Sequence, residues 1–553
     1  MTRSIRLRPW QKAAFEKYVA DGPDDFLAVA TPGAGKTTFA LTVARHVLSE
    51  RPRSRLIVVA PTAHLKVQWA AAAARFALHL DPSWAAADGA LPADMHGIVT
   101  TYQQVATSAE ALRAVAADAI VIFDEIHHAA DERAWGDSVR RAFEPSVRRL
   151  AISGTPFRSD TQAIPFIRYA LDEAAPDYEY GYGDALADGR VVRPVYFPRT
   201  GGQMEWSAPD GTLMEASFED ALDQTRSAQR LRTALSLEGE WLPTVLREAV
   251  GRLDTMREAH PTAGGLVIAA DQDHARGIAA MLRDRFGQRA TVVTSDDPDA
   301  SERIARFAAG SEPWLVAVRM VSEGVDIPRL RVGVYATTTT TELFFRQAVG
   351  RFVRWQAGNG SQKAYVYLPD DPRLRTHAFQ IAEARRHVLR PPAAHDEIAD
   401  VDAAAAELDR AETADDPEQL SLFSVLSAVA TGVSVHTVTA EGVAFDDEPD
   451  AIDGWDAPDD GDAPLDLHLP DIPTDAGFVR EGQRSTAEIK EDLRARNAFV
   501  AQRLVDLTGL SHGKVNAEMN RLAGIAKVSA ATTEQLERRL RYAESWLRRT
   551  RGR

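Results

Sequence analysis

The sequence predicts an α/β protein with two tandem parallel-sheet lobes, a helical connector between them, an acidic, partly disordered linker and a small helical C-terminal domain. Apolar strand-like runs alternate with helical patterns in residues 1–195, and the same alternation returns from residue 263. The composition becomes acidic and polar after residue 392. Because strands that alternate with helices form βαβ units, both blocks are expected to contain a buried parallel sheet.

The first block, residues 1–198, contains five apolar runs of strand length. These are Phe26–Ala30, Leu56–Ala60, Gly97–Thr101, Ala119–Phe123 and Leu150–Ser153. Residues 199–262 are mostly helical and polar in pattern, so a helical connector is expected there. The second block, residues 263–392, has five runs of its own: Gly265–Ala270, Ala290–Thr294, Trp314–Val318, Val332–Ala336 and Ala364–Leu368.

The net charge of −16 is unevenly distributed along the 553 residues. Residues 396–482 hold 24 Asp and Glu against two Arg, a net of −22, whereas residues 1–395 carry −1. The acidic linker is therefore assigned to residues 393–482. It is either a solvated spacer, the favoured interpretation, or a nucleic-acid mimic that inhibits the rest of the chain. Residues 483–553 carry +7 and show helical periodicity, with Ser511 as a candidate N-cap. This domain could contact DNA phosphates or a partner protein.

Composition excludes several kinds of site. The chain has no cysteine, which rules out disulfides, Cys-ligated zinc or iron–sulfur centres and thiol catalysis. No apolar run reaches the ~18–20 residues that span a bilayer. The basic N-terminus is not followed by the apolar stretch of a signal peptide, so we expect a cytoplasmic protein with no membrane partner.

A candidate phosphate site follows the first apolar run. The segment Ala30–Thr37 reads A-T-P-G-A-G-K-T and precedes a helical pattern. Small residues there let backbone N–H groups converge on phosphates at a helix N-terminus. Lys36 would pair with the β- and γ-phosphates and Thr37 would bind Mg²⁺. The strict motif has Gly where Ala30 stands, and a flexible turn is the alternative. One of only eight Lys in a chain with 56 Arg nevertheless occupies the required position. The residues predicted to bind ATP here are Thr31, Gly33, Ala34, Gly35, Lys36 and Thr37.

Two carboxylates follow the run Ala119–Phe123. Asp124 is predicted to bind Mg²⁺, and Glu125 is predicted to act as the general base that polarises the attacking water. An Asp-Glu pair after a strand is common by itself. The interpretation depends on its position after a phosphate-binding loop in the same chain.

With these two sites in order, residues 5–390 resemble a superfamily 2 helicase or translocase of the DExH type. The resemblance rests on eight short motifs: Leu7–Gln11, Ala30–Thr37, Ala60–Thr62, Thr100–Gln103, Asp124–His127, Ser153–Arg158, Gly324–Pro328 and Gln347–Arg354. It implies that two RecA-like lobes hydrolyse ATP with Mg²⁺, that Gln11 reads the adenine base, and that Gly324 and Asp326 belong to the ATP site. It also implies coupling roles for His127, Ser153 and Thr155. The nucleic-acid contacts it implies are Pro61, Thr62, Thr101 and Thr294.

The last motif makes a geometric prediction of its own. Gln347, Arg351 and Arg354 recur at i, i+4 and i+7, which would place them on one face of a helix. Two guanidiniums on that face would stabilise the charge that develops on a transferred phosphate. A solvated basic face is the alternative for any single pair.

DNA, single-stranded or partly duplex, is the expected partner, because D-E-I-H and S-G-T-P-F-R resemble the motifs of restriction-type motor subunits and repair helicases. The expected role is DNA repair, recombination or phage defence, with a monomer favoured. An RNA helicase and a nucleotide-switched scaffold that does not unwind are the alternatives.

A short peptide in the acidic linker resembles the bacterial sliding-clamp-binding pentapeptide. It consists of Gln419, Leu420, Ser421, Leu422 and Phe423. Its apolar side chains would dock in a groove of the clamp. The equally weighted alternative is that these residues begin a packed helix or strand that continues through residue 438.

Overall fold

The computed structural model describes residues 4–88, 91–92, 95–127, 133–154, 164–170, 173–208, 211–294, 297, 299–318, 327–356, 362–389, 424–434, 437–438, 444–445, 465–468, 486–525, 528 and 531–551. The fold is α/β, with two RecA-like parallel-sheet lobes and a helical C-terminal region. Contacts divide the chain into two units. The first contains Met1–Ala28, Gly35–Glu179 and Asp462–Arg553, and the second contains Val29–Ala34 and Tyr180–Gly461.

The N-terminal lobe alternates strands and helices in chain order. Its elements are β1 (Ser4–Leu7), α1 (Pro9–Asp21), β2 (Asp25–Ala30), α2 (Lys36–Glu50), β3 (Arg55–Ala60), α3 (Ala63–Arg75), β4 (Leu80–Asp81), a 3₁₀ turn (Ala86–Asp88), β5 (Gly97–Thr101), α4 (Tyr102–Ala116), β6 (Ala119–Asp124), α5 (Arg133–Phe143), β7 (Arg148–Ser153), β8 (Tyr169–Ala170), β9 (Glu173–Ala174) and β10 (Tyr178–Tyr180). The sheet order is β10-β2-β7-β6-β3-β5-β4. All five predicted strands are present.

The sheet of this lobe brings several predicted site residues to one edge. The pairs β4–β5, β3–β5, β3–β6 and β6–β7 are parallel, with Ala60 opposite Thr101 and Asp124 opposite Ile152. Because the carboxyl ends of parallel strands meet at one edge, the residues that end or follow these five strands lie in a row. The strands are apolar and buried, which fixes this edge relative to the core.

The second lobe contains helices, a parallel core and an antiparallel extension. Its elements are α6 (Tyr182–Ala187), β11 (Val195–Tyr196), β12 (Arg199–Ser207), β13 (Leu213–Ser217), α7 (Gln224–Ala234), α8 (Trp241–Ala259), β14 (Gly264–Ala269), α9 (Gln272–Phe286), β15 (Ala290–Val293), α10 (Ala300–Ala309), β16 (Trp314–Val318), β17 (Leu330–Ala336), α11 (Glu342–Val349), β18 (Ala364–Pro369), α12 (Pro372–Leu389) and β19 (Ser424–Ser434). Strands β13-β12-β18-β17-β14-β16-β15 form the sheet, with β11 beside β18 and β19 beside β12.

The predicted helical connector is partly a β-hairpin. Strands β12 and β13 pair antiparallel and extend the second sheet, with Trp206 opposite Met214. Met204 and Trp206 are fully buried whereas Glu205 between them is exposed. This period of two is the strand pattern, so the expectation of helix was wrong for Arg199–Ser207 and Leu213–Ser217. The helices α7 and α8 pack on the same core.

Parts of the predicted acidic linker also belong to sheets. Strand β19 pairs antiparallel with β12, with Val425 opposite Trp206, and Ala428 is buried in the core. The strands β20 (Thr437–Val438) and β21 (Ala444–Phe445) pair with each other, and β22 (Leu465–His468) pairs with β1. The strand of the packed-strand alternative is therefore present over residues 424–434 and 437–438. The pentapeptide Gln419, Leu420, Ser421, Leu422 and Phe423 lies outside the described residues.

The described residues of the C-terminal region form three helices: α13 (Thr486–Thr508), α14 (His512–Ala523) and α15 (Thr533–Arg551). Their core includes Leu504, Met519 and Leu536. Ser511 holds the predicted N-cap position of α14, although its side chain makes no capping hydrogen bond. Among the helices of the described residues, none is both long and apolar enough to cross a membrane.

Candidate ATP-hydrolysis site

The loop between β2 and α2 has the backbone of a phosphate cradle. Gly33 and Gly35 adopt φ values of +87° and +93°, which L side chains rarely tolerate. A Cβ on Gly35 would stand 2.7 Å from Gln11 Nε2, and one on Gly33 would stand 3.3 Å from Arg354 Nη1. The loop opens the 15-residue helix α2, whose first amides and dipole favour an anion. The cradle therefore fits the phosphates of a nucleotide.

Gln11 fastens helix α1 to this loop. Its Nε2 donates to the Gly35 carbonyl at 2.8 Å, and its Oε1 accepts from the Arg8 amide at 2.8 Å. Gln11 is 2% exposed. Each end of the amide thus makes one bond within the chain, and the second N–H and the second lone pair of the same amide are the groups that the predicted reading of adenine would use.

Glu125 lies at the centre of a polar network. Its Oε1 is 3.4 Å from Lys36 Nζ, and its Oε2 accepts from the Gly154 amide at 2.8 Å and from Ser153 Oγ at 3.3 Å. His127 Nδ1 lies 3.7 Å from the same oxygen and 3.4 Å from Ser153 Oγ. The backbone of Glu125 is left-handed, with φ +47°, a strained conformation that concentrates at functional sites. Lys36, Glu125 and Ser153, the first residue of the predicted coupling motif, therefore lie in contact with one another through Glu125.

Asp124 is held by two aromatic residues that sequence reasoning did not assign to it. Trp69 Nε1 donates to Asp124 Oδ2 at 2.7 Å, and the Tyr102 hydroxyl donates to the Asp124 backbone carbonyl at 3.0 Å. Trp69 is 3% exposed and Tyr102 is fully buried. Tyr102 stands in the motif Thr100–Gln103 and Trp69 follows the motif Ala60–Thr62 by seven residues, and a buried indole N–H or phenol requires a partner. The sequence does not indicate which acceptor each of these donors bonds, because the acceptor is brought close by tertiary packing.

The donor set fits Mg²⁺. Asp124 supplies a carboxylate and Thr37, on the first turn of α2, supplies a hydroxyl, which are the hard oxygen ligands that this ion prefers. Asp124 and Thr37 would hold the ion, which would supply positive charge against the charge that develops on the phosphates.

The prediction that Gln347, Arg351 and Arg354 share a helical face was wrong. Helix α11 ends at Val349, so only Gln347 lies within it. Phe352 is fully buried against Gly333 of β17, where a Cβ would stand 2.5 Å from its Cζ. Burial of this ring draws the chain out of the helix. Arg354 then lies beside Gly33, and both residues belong to the second unit.

Arg193 fixes the chain around Arg354 and was missed by sequence reasoning. It is fully buried, and its guanidinium donates to the carbonyls of Leu330 at 3.0 Å, Pro328 at 2.7 Å and Arg354. Burial lowers the pKa of Arg193 to about 9, so it remains charged at neutral pH. The one signal in the sequence is an arginine inside the apolar run 191–197.

The predicted nucleic-acid residues of the first lobe occupy the edge already described. Pro61 and Thr62 follow β3, and Thr62 is the N-cap of α3. Thr101 is the N-cap of α4, and its Oγ1 accepts from the Gln104 amide at 3.2 Å. Thr294 follows β15 in the second unit and is 7% exposed. Thr155, Gly324 and Asp326 lie outside the described residues.

The two-lobe fold, the glycine-containing loop before α2 and the paired carboxylates after β6 resemble the arrangement of superfamily 2 helicases. Residues 4–158 match the model of the family described as "Type III restriction enzyme, res subunit". The chain is 40% identical over 559 residues to "Uncharacterized protein Rv2917" of Mycobacterium tuberculosis, with 97% of this chain and 92% of that protein covered. The chain belongs to the family of this mycobacterial protein.

More distant similarities include a curated relative and a solved structure. The "DNA 3'-5' translocase XPB2" of Sulfurisphaera tokodaii is 24% identical over 374 residues, covering 63% of this chain and 79% of that protein. The solved structure of the ATP-dependent Type ISP restriction-modification enzyme LlaBIII bound to DNA aligns at a TM-score of 0.45 and 15% identity. That alignment covers 70% of this chain and 30% of the other.

Proposed function

We propose that the protein is an ATP-dependent helicase or translocase that uses Mg²⁺ and moves on DNA. The observation that supports this best is the placement of Glu125, with one carboxylate oxygen 3.4 Å from the P-loop Lys36 and the other bonded to the Gly154 amide. A carboxylate fixed in this way is oriented to accept a proton from water that attacks a bound phosphate.

Each residue then has a defined task. The amides of the P-loop and Lys36 bind the phosphates, and Thr37 and Asp124 hold Mg²⁺. Arg354, which lies beside Gly33, stabilises the charge on the transferred phosphoryl group. Ser153 and His127, both in contact with Glu125, transmit its state to the segment that follows.

DNA is proposed as the track because the motifs resemble those of DNA motors and a relative is named a DNA translocase. Repair, recombination or phage defence is the proposed context.

ATP hydrolysis by the full chain, measured alone and with single-stranded DNA, duplex DNA or single-stranded RNA, tests the proposal. We expect DNA to stimulate hydrolysis and Lys36→Ala to abolish it, whereas Lys17→Ala, an exposed lysine of α1, should retain it. Full activity of Lys36→Ala would refute the assigned ATP site. Stimulation by RNA alone would refute the DNA track.

A further inference from the structure

Two helices of the first lobe begin at predicted nucleic-acid motifs, and each donates a hydrogen bond to Asp124. Helix α3 follows Thr62 and helix α4 follows Thr101. Trp69 of α3 bonds the side chain of Asp124, and Tyr102 of α4 bonds its backbone. We propose that Trp69 and Tyr102 are positioning residues that couple nucleic-acid contact to the Mg²⁺ carboxylate. This inference rests on the proposed function.

The connection through Trp69 is short and stiff. Trp69 lies seven residues beyond Thr62, which is about 10 Å along a helix that rises 1.5 Å per residue. The indole N–H is the one hydrogen-bond donor of this side chain, and it donates to Asp124 Oδ2 at 2.7 Å in a charge-assisted bond. A movement at the start of α3 therefore changes where one oxygen of Asp124 stands.

The connection through Tyr102 is shorter still. Tyr102 is the first residue of α4 and directly follows Thr101. Its fully buried hydroxyl meets the Asp124 carbonyl at 3.0 Å. Asp124 is thus held by its side chain from one helix and by its backbone from the other.

The two helix starts are also joined to each other. Lys66 of α3 donates to Gln104 Oε1 of α4 at 2.9 Å, and Thr100 Oγ1 donates to the same oxygen at 3.3 Å. Lys66 is 8% exposed, and burial lowers its pKa. The backbone N–H of Gln104 also donates to Thr101 Oγ1. These bonds join the starts of α3 and α4, and Trp69 and Tyr102 connect the two helices to Asp124, so the three form one contiguous network.

Coupling between two sites is reciprocal, so it can be measured as an affinity ratio without turnover. The experiment titrates the full chain into a labelled single-stranded DNA, with and without Mg²⁺ and a non-hydrolysable ATP analogue. The coupling ratio is the dissociation constant for DNA measured in one of these two conditions divided by the constant measured in the other, taken so that it exceeds one in the wild type. It is compared between wild type, Trp69→Phe and Tyr102→Phe. Each substitution removes one hydrogen-bond donor and keeps an aromatic side chain, although the ring of Trp69→Phe is smaller than the indole.

We expect the wild-type ratio to fall about fivefold or more in Trp69→Phe and by a smaller factor in Tyr102→Phe. Trp314→Phe is the matched control, because Trp314 is fully buried and its Nε1 has no hydrogen-bond partner among the described residues. That control should keep the wild-type ratio. An unchanged ratio in both test variants overturns the inference alone, whereas DNA-independent hydrolysis and a ratio of one in the wild type overturn the proposed function and the inference with it. Tyr102→Phe keeps the test valid where Trp69→Phe does not fold.

Discussion

Lys490 Nζ lies 2.7 Å from both carboxylate oxygens of Asp88, a residue 402 positions earlier in the chain. The side chains are 3% and 11% exposed. This ion pair joins α13 of the basic C-terminal region to the 3₁₀ turn of the first lobe. Asp81 is fully buried nearby, and burial raises the pKa of its carboxyl although Lys490 opposes that shift. The C-terminal region is therefore fastened to the lobe that carries the candidate ATP site.

Removal of this ion pair should loosen the C-terminal region. Lys490→Gln leaves Asp88 nearly buried without its cation, a change that costs about 3–5 kcal/mol in buried pairs. We expect faster limited proteolysis ahead of α13 and a lower melting temperature. Lys514→Gln, at an exposed lysine of α14, should behave as wild type. Equal protease resistance of the two variants would contradict a structural role for the pair.

Replacement of the proposed general base should separate binding from chemistry. Glu125→Gln keeps a hydrogen-bond acceptor for the Gly154 amide but removes the basic carboxylate. Steady-state ATP hydrolysis should fall by about 10²–10⁴-fold, while the dissociation constant of a fluorescent ATP analogue changes little. Glu110→Gln on the exposed face of α4 is the control. Retention of more than a tenth of the rate would exclude Glu125 as the base.

A planar guanidinium should be required at position 354. Arg354→Lys keeps the charge but loses the fork that can contact two phosphate oxygens, and hydrolysis should fall by about 10³-fold. Arg346→Lys on α11, where the arginine pairs with Glu342 at 2.6 Å, is the matched control. Comparable rates in the two variants would remove Arg354 from the proposed mechanism.

His96 should make the first lobe sensitive to acid. Burial, with smaller contributions from His79, Arg55 and Arg45, lowers the pKa of His96 to about 4. The unfolded chain binds a proton near pH 6.5 and the folded chain does not, so this contribution to stability is complete above pH 6.5 and is lost as the pH falls toward 4. The loss amounts to about 3 kcal/mol at most.

Urea unfolding between pH 4.5 and 8 measures this dependence. His96→Asn retains an acceptor for the His79 amide, which His96 Nδ1 accepts at 2.9 Å, and should flatten the slope. His64→Asn, at an exposed histidine, should leave the slope as it is. A wild-type slope in His96→Asn would show that other groups cause the acid loss.

The clamp-binding prediction can be tested with the full chain and a purified bacterial sliding clamp. Capture of the clamp should be lost in Phe423→Ala, because an apolar anchor leaves the groove. Leu426→Ala, at an exposed residue of β19, should retain capture. Absence of binding by the wild type, or binding that survives Phe423→Ala, would refute the prediction.

The local sequence was sufficient to predict those elements whose conformation depends on burial and on backbone angles within a few residues. The apolar runs at residues 56–60 and 119–123 are strands because every residue is buried, and the glycines of the P-loop take backbone angles that other residues avoid. The residue spacing was insufficient to predict where a helix ends when tertiary packing determines that end. The spacing of Gln347 and Arg354 favoured one helix, but burial of Phe352 against Gly333 ends that helix at Val349.

The sequence by itself determined that this chain has a glycine-containing loop between a strand and a helix, a pair of carboxylates after a buried strand and a nearly neutral body with an acidic segment. Only the tertiary structure decided which distant side chains form hydrogen bonds and ion pairs with these features. Trp69 and Asp124 are 55 residues apart, and Lys490 and Asp88 are 402 apart. No local pattern specifies such pairs, because a hydrogen bond forms between groups that packing of distant elements has already brought within 3 Å.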